Sequence, residues 1–359
     1  MHFDLSEEQS LLRDSVTRLL KERYPFETRR KAAASADGWS REIWAAFAEQ
    51  GLLGVGLGEN AGGYGGAVET MVVAEALGGA LSAEPYLATV VMGAAALRLS
   101  GADGASKTLS SIAAGEHLLA VAEGFSAKRA GENWSLHGKA ASIPHADCAH
   151  QIIVIADDGA LVACVDAGKL NRAGHRTFDG LRAAHLEAAS IAVSPAEVLA
   201  QGAAGLDLAE RVRQHGVAYI AAEAVGLMSM LLDVTVEHLK TRQQFGQPLS
   251  RFQALQHRAV DMLVALEQAR SMAIYATAAL DEPDALERRK AFAAIKAVVS
   301  NAARLVGQQA VQLLGGIGLT EEHRVGWGLR RLTMIDLAFG DADEQAARLA
   351  ALGGLVAPA

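Results

Sequence analysis

One short run, RQQFGQPLSRFQ at positions 242–253, combines side chains that can bind a phosphate-bearing ligand. Arg242 carries a permanently charged planar guanidinium that suits phosphate oxygens, and Gln244 and Phe245 add an amide and a ring surface. The glycine and proline that follow end the helical pattern before them. The same residue types also solvate and pack ordinary helix ends, so their chemistry alone leaves a ligand-binding role and a structural role open.

A second run, QLLGGIG at positions 312–318 with Arg330 downstream, favours the ligand-binding role. The two patterns, R-x-Q-F-G-x-P-L-x-x-F-Q and Q-x-x-G-G-x-G ahead of an arginine, resemble the signatures of the acyl-CoA dehydrogenase family. These flavoenzymes desaturate acyl-CoA thioesters between Cα and Cβ. Weaker similarities at positions 3–9, 44–54 and 75–78 extend the resemblance over essentially the whole chain.

The composition argues against several classes of protein. The 359 residues are 51% hydrophobic and 21% charged, enough for a sizeable core in two or three domains. With 33 basic and 41 acidic residues and no basic stripe interleaved with aromatics, nucleic-acid binding is not expected. The sequence shows no signal-peptide pattern and no convincing membrane span, and Cys148 and Cys164 have neither disulfide-framework nor metal-ligand spacing. We therefore expect a cytoplasmic protein without a metal site.

Helical and strand periodicities divide the chain into three parts. Positions 1–117 have helical spacing of apolar residues, positions 118–205 hold short segments punctuated by glycine and aspartate, and positions 206–359 return to long helical patterns. The predicted fold is α+β: an N-terminal helical domain, a small β-barrel or sandwich domain, and a C-terminal four-helix bundle. The acyl-CoA dehydrogenase family has the same domain order.

The resemblance implies FAD as a cofactor shared between subunits. In the family the flavin lies between the β domain and the bundle of one subunit, while its adenine and pyrophosphate reach the bundle of the neighbouring subunit. The motifs assign to this cross-subunit group Arg242, Gln244, Phe245, Gln312, Gly315 and Gly316, with Gln253 as a weaker member. We expect Arg242 to pair with pyrophosphate, Phe245 to pack on an apolar or aromatic face, and the two glycines to admit the ligand close to the backbone.

The residues that the family uses within one subunit are largely missing. The family's ring-binding loop, T-E-P-x-x-G-S-D, corresponds to Ala122–Ala127, where the sequence is AEGFSA and the proline and the Gly-Ser-Asp are absent. The family's catalytic base, the glutamate of E-G-T, corresponds to Phe339. Because a phenyl ring cannot accept the proton that a carboxylate removes from Cα, the resemblance predicts no base at this position.

Other carboxylates could replace this base. Some family members place it on the first long bundle helix, about seven turns before the arginine of R-x-Q-F-G, where this chain has Gly216. Glu210 and Glu223 lie six and seven residues from Gly216 and are expected to face other directions or other turns. The alternatives near Phe339 are Asp336, Asp341 and Glu344.

Three functional hypotheses follow from a cross-subunit group that is present and same-subunit residues that are largely missing. In the first, the chain is the non-catalytic half of a heteromeric acyl-CoA dehydrogenase and contributes its cross-subunit residues to FAD on a catalytic subunit, as in complexes that degrade steroid side chains. The second is a self-associating scaffold or binding protein of the same fold, and the third is an active homo-oligomer with a relocated carboxylate. The resemblance implies a fatty or steroid acyl-CoA as the substrate and an electron-transfer flavoprotein as the electron acceptor.

Overall fold

The computed structural model describes residues 4–355, and the chain forms two compact units. One unit takes its described residues from 4–26, 71–82 and 217–355, and the other from 27–70 and 83–216. The domain boundaries expected from the sequence at 117/118 and 205/206 stay a prediction. The first residue of the stretch at positions 3–9, Phe3, lies outside the described residues.

Helices dominate the described chain before position 114. The first helix begins at a capping box, in which Ser6 accepts from the Gln9 backbone N–H and Gln9 accepts from that of Ser6. The helices are α1 (Glu7–Arg23), α2 (Phe26–Ala34), α3 (Arg41–Glu49), α4 (Ala67–Gly79), a π-helix (Leu87–Gly93) that continues into α5 (Ala94–Ser100), and α6 (Ala105–Ala113).

The middle of the chain forms one sheet of seven strands, at the place where the sequence predicts a small barrel or sandwich domain. The strands are β1 (Leu119–Ala130), β2 (Asn133–Pro144), β3 (Gln151–Ala156), β4 (Leu161–Asp166), β5 (Asn171–Arg176), β6 (Arg182–Val193) and β7 (Val198–Gln201). Their order is β5-β6-β2-β1-β3-β4-β7, with β1 and β3 parallel and the other neighbours antiparallel. Side chains such as Leu136, Ile152 and Leu161 form its buried core.

The C-terminal part is helical again. Its elements are α7 (Gly202–Thr241), a two-stranded ribbon of β8 (Gln243–Gln244) and β9 (Gln247–Pro248), α8 (Gln253–Ala279), α9 (Ala285–Leu314), α10 (Arg324–Leu337) and α11 (Ala342–Ala351). Asp284 caps the start of α9, and Gly315 ends it with φ 70°. Helices α8, α10 and α11 all pack on α9. The predicted α+β fold, with helical, β and helical parts in this order, is confirmed.

Two glycines let the backbones of α4 and α7 touch. A Cβ on Gly226 would lie 1.8 Å from the carbonyl oxygen of Glu75, and a Cβ on Gly78 would lie 2.1 Å from that of Glu223. Both separations are far below any van der Waals contact, so no other residue fits there unless the helices separate.

Helix α7 is long and apolar enough to cross a membrane by length and composition alone. However, 72% of its most apolar window is buried inside the protein. Burial of this kind is typical of the core helix of a bundle.

Candidate functional site

The run at positions 242–253 folds into a tight hairpin directly after α7. Strand β8 pairs with β9, and the Leu249 N–H donates to the carbonyl of Arg242 over 2.9 Å. Between the strands, Phe245 and Gly246 have φ 54° and 77°. Positive φ at both central residues is the signature of a type I′ turn, whose twist matches that of the flanking strands. Glycine adopts it freely, whereas phenylalanine is strained there.

The turn displays the ring of Phe245 to solvent. This side chain is 86% exposed, the largest value among the exposed large hydrophobic side chains of the described chain. Its ring contacts the edge of Phe252, with the centroids 6.0 Å apart and the planes at 84°. An apolar ring on a strained, exposed turn gains nothing from the core of its own chain, which makes it a candidate contact for a ligand or a partner.

Arg242 is exposed, and its guanidinium makes no hydrogen bond or ion pair with any residue that the structure describes. Its guanidinium therefore keeps all its N–H donors for a ligand. Gln244 and Gln253, at the two ends of the same segment, are exposed as well. The hairpin thus brings together a free cation, an exposed amide and an exposed ring, which suits a phosphate joined to an apolar or aromatic group.

The other residues of the predicted cross-subunit group lie where α9 ends. Gln312, Gly315 and Gly316 are all exposed, and a Cβ at either glycine would meet nothing within 4 Å. The φ of 70° explains the glycine at position 315, but no crowding within the chain explains the one at 316. An open, side-chain-free backbone fits the close approach of a phosphate to N–H groups. On this observation, the residues of the cross-subunit group fit the pyrophosphate end of FAD.

The segment matched to the family's ring-binding loop has a different structure. Ala122–Ala127 lies inside β1, which pairs with β3 as far as Phe125 and with β2 from Phe125 onward, with a register shift between Glu123 and Phe125. The Ala127 N–H donates to Asp157 Oδ2 over 2.8 Å. Because strand pairing and this bond engage the backbone within the chain, the segment offers few groups to a flavin ring.

The one carboxylate of this segment is also engaged. The guanidinium of Arg213 donates from Nε to Glu123 Oε1 and from its terminal nitrogen to Oε2, each over 2.8 Å. Although burial lowers it, the hydrogen bond and charge of Glu123 hold the pKa of Arg213 above its ordinary value. Arg213 lies on α7 one turn before Gly216, so this ion pair joins two places that the family uses around its ring. These residues do not fit an isoalloxazine ring.

Phe339 lies in the turn between α10 and α11. Its backbone has φ 60°, its side chain is half-buried, and its carbonyl accepts a hydrogen bond from Gln345 Nε2. At the position that the resemblance assigns to the family's glutamate, Phe339 supplies no ionisable group, and Gly216 supplies none on α7.

The carboxylates proposed as alternatives have other roles. Asp336 Oδ2 accepts from Arg304 over 3.1 Å, although its buried Oδ1 has no hydrogen-bond partner among the described residues. Asp341 caps α11 by accepting from the backbone N–H groups of Asp343 and Glu344. The Glu344 side chain is exposed in the first turn of α11. On α7, the fork of Arg331 binds Glu223 over 2.6 and 2.8 Å.

Sequence reasoning missed three of these features. It assigned no role to the Glu123–Arg213 pair, to the Glu223–Arg331 pair, or to Lys296, a buried lysine on α9. Only Lys296 leaves a signal in the sequence, because a lysine within the apolar pattern AFAAIKAVV needs buried acceptors. The two ion pairs join residues 90 and 108 positions apart, which no local pattern reveals.

Comparison with known proteins identifies the family. The profile of the acyl-CoA dehydrogenase N-terminal domain matches residues 6–116, and that of the C-terminal domain matches residues 203–352. The chain is 30% identical over 352 residues to acyl-CoA dehydrogenase IpdE2 of Mycolicibacterium smegmatis, covering 97% of this chain and 99% of that protein. It is 29% identical to acyl-CoA dehydrogenase FadE34 of Mycobacterium tuberculosis, but spans 43% of that protein's length.

Two solved structures are similar over nearly the whole chain. The ChsE4-ChsE5 complex from Mycobacterium tuberculosis matches with a TM-score of 0.90 and 25% identity over 100% of both chains. A variant of the Tcur3481-Tcur3483 steroid ACAD matches with a TM-score of 0.88 and 26% identity over 96% of this chain and 97% of that one. On the sequence matches above, the chain belongs to the acyl-CoA dehydrogenase family.

Proposed function

We propose that this chain is the non-catalytic subunit of a heteromeric acyl-CoA dehydrogenase. It supplies the cross-subunit half of an FAD site whose other half, with the catalytic carboxylate, belongs to a partner subunit. Arg242 binds pyrophosphate oxygens, Phe245 packs on the ligand, and the open backbone at Gly315 and Gly316 admits the phosphates. When bound, FAD supplies the hydride acceptor for desaturation of the acyl group.

One observation carries this proposal: the guanidinium of Arg242 has no partner in the described chain, while Phe245, three residues on, is 86% exposed on a strained turn. By contrast, the positions that the family uses for the flavin ring and the base within one subunit hold few groups that are available to a ligand. Glu123 binds Arg213, and Phe339 takes the place of the base. A homo-oligomeric enzyme needs both halves of the site in every chain, whereas a heteromer needs only the exposed half here.

The comparisons support the assembly and the substrate class. Two structures with closely similar folds are named for pairs of chains, one as a complex and one as a steroid ACAD. By this similarity we propose a catalytic acyl-CoA dehydrogenase chain as the partner, a fatty or steroid acyl-CoA as the substrate, and an electron-transfer flavoprotein as the acceptor. We also propose that the complex works in the cytoplasm.

Co-expression tests the proposal through flavin colour. We expect the chain purified alone to lack flavin absorbance, and the chain purified with a catalytic partner that carries the glutamate base to be yellow. Arg242→Ala should lower the affinity of the complex for FAD at least tenfold, because a charge-assisted contact to pyrophosphate is lost. Arg258→Ala is the matched control, since Arg258 is an exposed arginine on α8 outside the motif.

Other outcomes separate the remaining hypotheses. Strong flavin absorbance and acyl-CoA oxidation by the chain alone identify an active homo-oligomer and contradict the proposal. A stable complex that is colourless with every partner indicates a scaffold protein. Equal FAD affinity in the Arg242→Ala and Arg258→Ala complexes refutes the role given to Arg242.

Restoring the glutamate alone should not restore an enzyme. In Phe339→Glu, a carboxylate returns to the family's base position, but β1 still lacks the ring-binding loop and Glu123 stays bound to Arg213. We therefore expect no acyl-CoA oxidation by the isolated Phe339→Glu chain with a dye as the electron acceptor. Turnover by this single variant shows that the base is all that the chain lacks.

A further inference from the structure

The segment that runs from the end of α10 to the start of α11, residues 336–341 and hereafter the turn, has an unusual backbone. Phe339 and Gly340 both have positive φ, 60° and 90°, and the side chain of Asp341 is used to cap α11. At the end of α10, backbone carbonyls lose their helical partners and must be satisfied in another way. The Gly340 N–H returns to the Leu337 carbonyl over 3.3 Å, which satisfies only one of them.

The buried ammonium group of Lys296 donates hydrogen bonds to both ends of this turn. Lys296 on α9 is 1% exposed, and its Nζ donates to the carbonyl of Asp336 over 2.8 Å and to that of Gly340 over 2.9 Å. The third bond, over 2.6 Å, goes to Ser300 Oγ one turn along α9. All three N–H donors of the ammonium are therefore used, two of them on backbone atoms of the turn.

The surrounding charges fit a cation at this place. Burial lowers the pKa of Lys296 to about 8, while the carboxylates of Asp336, Asp341 and Glu344 oppose that shift. A neutral amine would still hold two N–H donors for the two carbonyls. Arg304, two turns beyond Lys296 on α9, binds the Asp336 side chain, so one face of α9 contacts both the backbone and the side chain at the start of the turn.

Packing alone does not explain a lysine here. A methionine fills the same volume without burying a charge, and an ammonium in an apolar interior is costly unless its donors are satisfied. The backbone carbonyls at both ends of the turn accept hydrogen bonds from these donors, and the carbonyls themselves need a donor.

We propose that Lys296 is a positioning residue: by binding the carbonyls of Asp336 and Gly340 together, it fixes the turn that presents residue 339 at the family's base position. This role is independent of the heteromeric assembly, since it concerns only contacts within the chain. It also applies to a carboxylate introduced at position 339.

Hydrogen exchange measured by mass spectrometry tests this role in the full chain. In Lys296→Met, we expect amides of residues 337–341 to exchange at least tenfold faster than in the wild type, because two bonds that close the turn are lost. Peptides from α8 should change less than twofold. Lys290→Met is the matched control, since Lys290 lies on the same helix but pairs with Glu287 instead of the turn.

The pattern of exchange separates positioning from general stabilisation. A residue that only stabilises the bundle would speed exchange in α8, α10 and the turn together, and that result overturns the proposal. If Lys296→Met does not fold, Lys296→Gln carries the test. Its neutral amide keeps two N–H donors on a side chain that is one atom shorter. We therefore expect an exchange rate in the turn between the wild-type rate and the rate with both bonds lost. Unchanged protection of 337–341 in whichever variant folds also overturns the proposal.

Discussion

Replacing Gly226 by alanine is expected to destabilise the chain by about 3 kcal/mol or more, because the added methyl group overlaps backbone atoms. The new Cβ would lie 1.8 Å from the Glu75 carbonyl oxygen and 2.8 Å from the Gly79 nitrogen. These atoms belong to α4 and have no side-chain freedom, so the helices must separate at the crossing. A large fall in the urea midpoint of unfolding, followed by circular dichroism, is the measurement that checks it.

Gly79→Ala is the control from the same crossing. Its Cβ would meet the Gly226 carbonyl oxygen at 3.5 Å, an ordinary contact, and alanine favours the helix over glycine. We expect this variant to stay within about 1 kcal/mol of the wild type. Equal midpoints for the two alanine variants would show that α4 and α7 do not cross in backbone contact.

Removing Arg331 is the second change with a large expected effect. Glu223 is 5% exposed, and both of its oxygens accept from the Arg331 fork. Arg331→Met leaves a buried carboxylate without this partner, which typically costs about 3–5 kcal/mol. The unfolding midpoint should fall accordingly, and a second change, Glu223→Leu, should recover part of the loss because it removes the stranded charge.

The neighbouring Arg330 provides the comparison. It pairs with Glu321 over 3.4 Å, and the Glu321 side chain is largely exposed. Because exposed ion pairs are worth at most about 1 kcal/mol, Arg330→Met should lower the midpoint only slightly. If Arg330→Met and Arg331→Met are equally stable, the Glu223 pair does not hold α7 and α10 together.

Local signals made most of the helices predictable. Caps that act within four residues show in the sequence where helices begin and end. The start of α1 is marked by Ser6 with Gln9, and the start and end of α9 by Asp284 and Gly315. The two short apolar runs at positions 151–156 and 161–165, separated by Asp-Asp-Gly, likewise indicate two strands joined by a hairpin turn, and β3 pairs with β4 in antiparallel register.

Features set by distant residues were not predictable in the same way. Whether Ala122–Ala127 forms a loop or a strand depends on Gly138 and on the other β2 residues that pair with it, not on its own sequence. The turn at Phe245 lacks the Asn-Gly or Asp-Gly pair that usually announces a type I′ hairpin. The motif therefore predicts which residues bind a ligand, while the geometry of these residues comes only from the structure.

The hairpin at Phe245 also has a consequence for the proposed association with a catalytic partner. Its ring is already ordered by the β8–β9 pairing, so association does not have to freeze a loop whose backbone ordering costs about 1–2 kcal/mol per residue. Until a partner arrives, however, the ring stays in water and remains available to any other apolar surface. In the proposed heteromer, synthesis of the two chains in equal amounts would limit aggregation, since each unpaired copy keeps the apolar ring of Phe245 exposed.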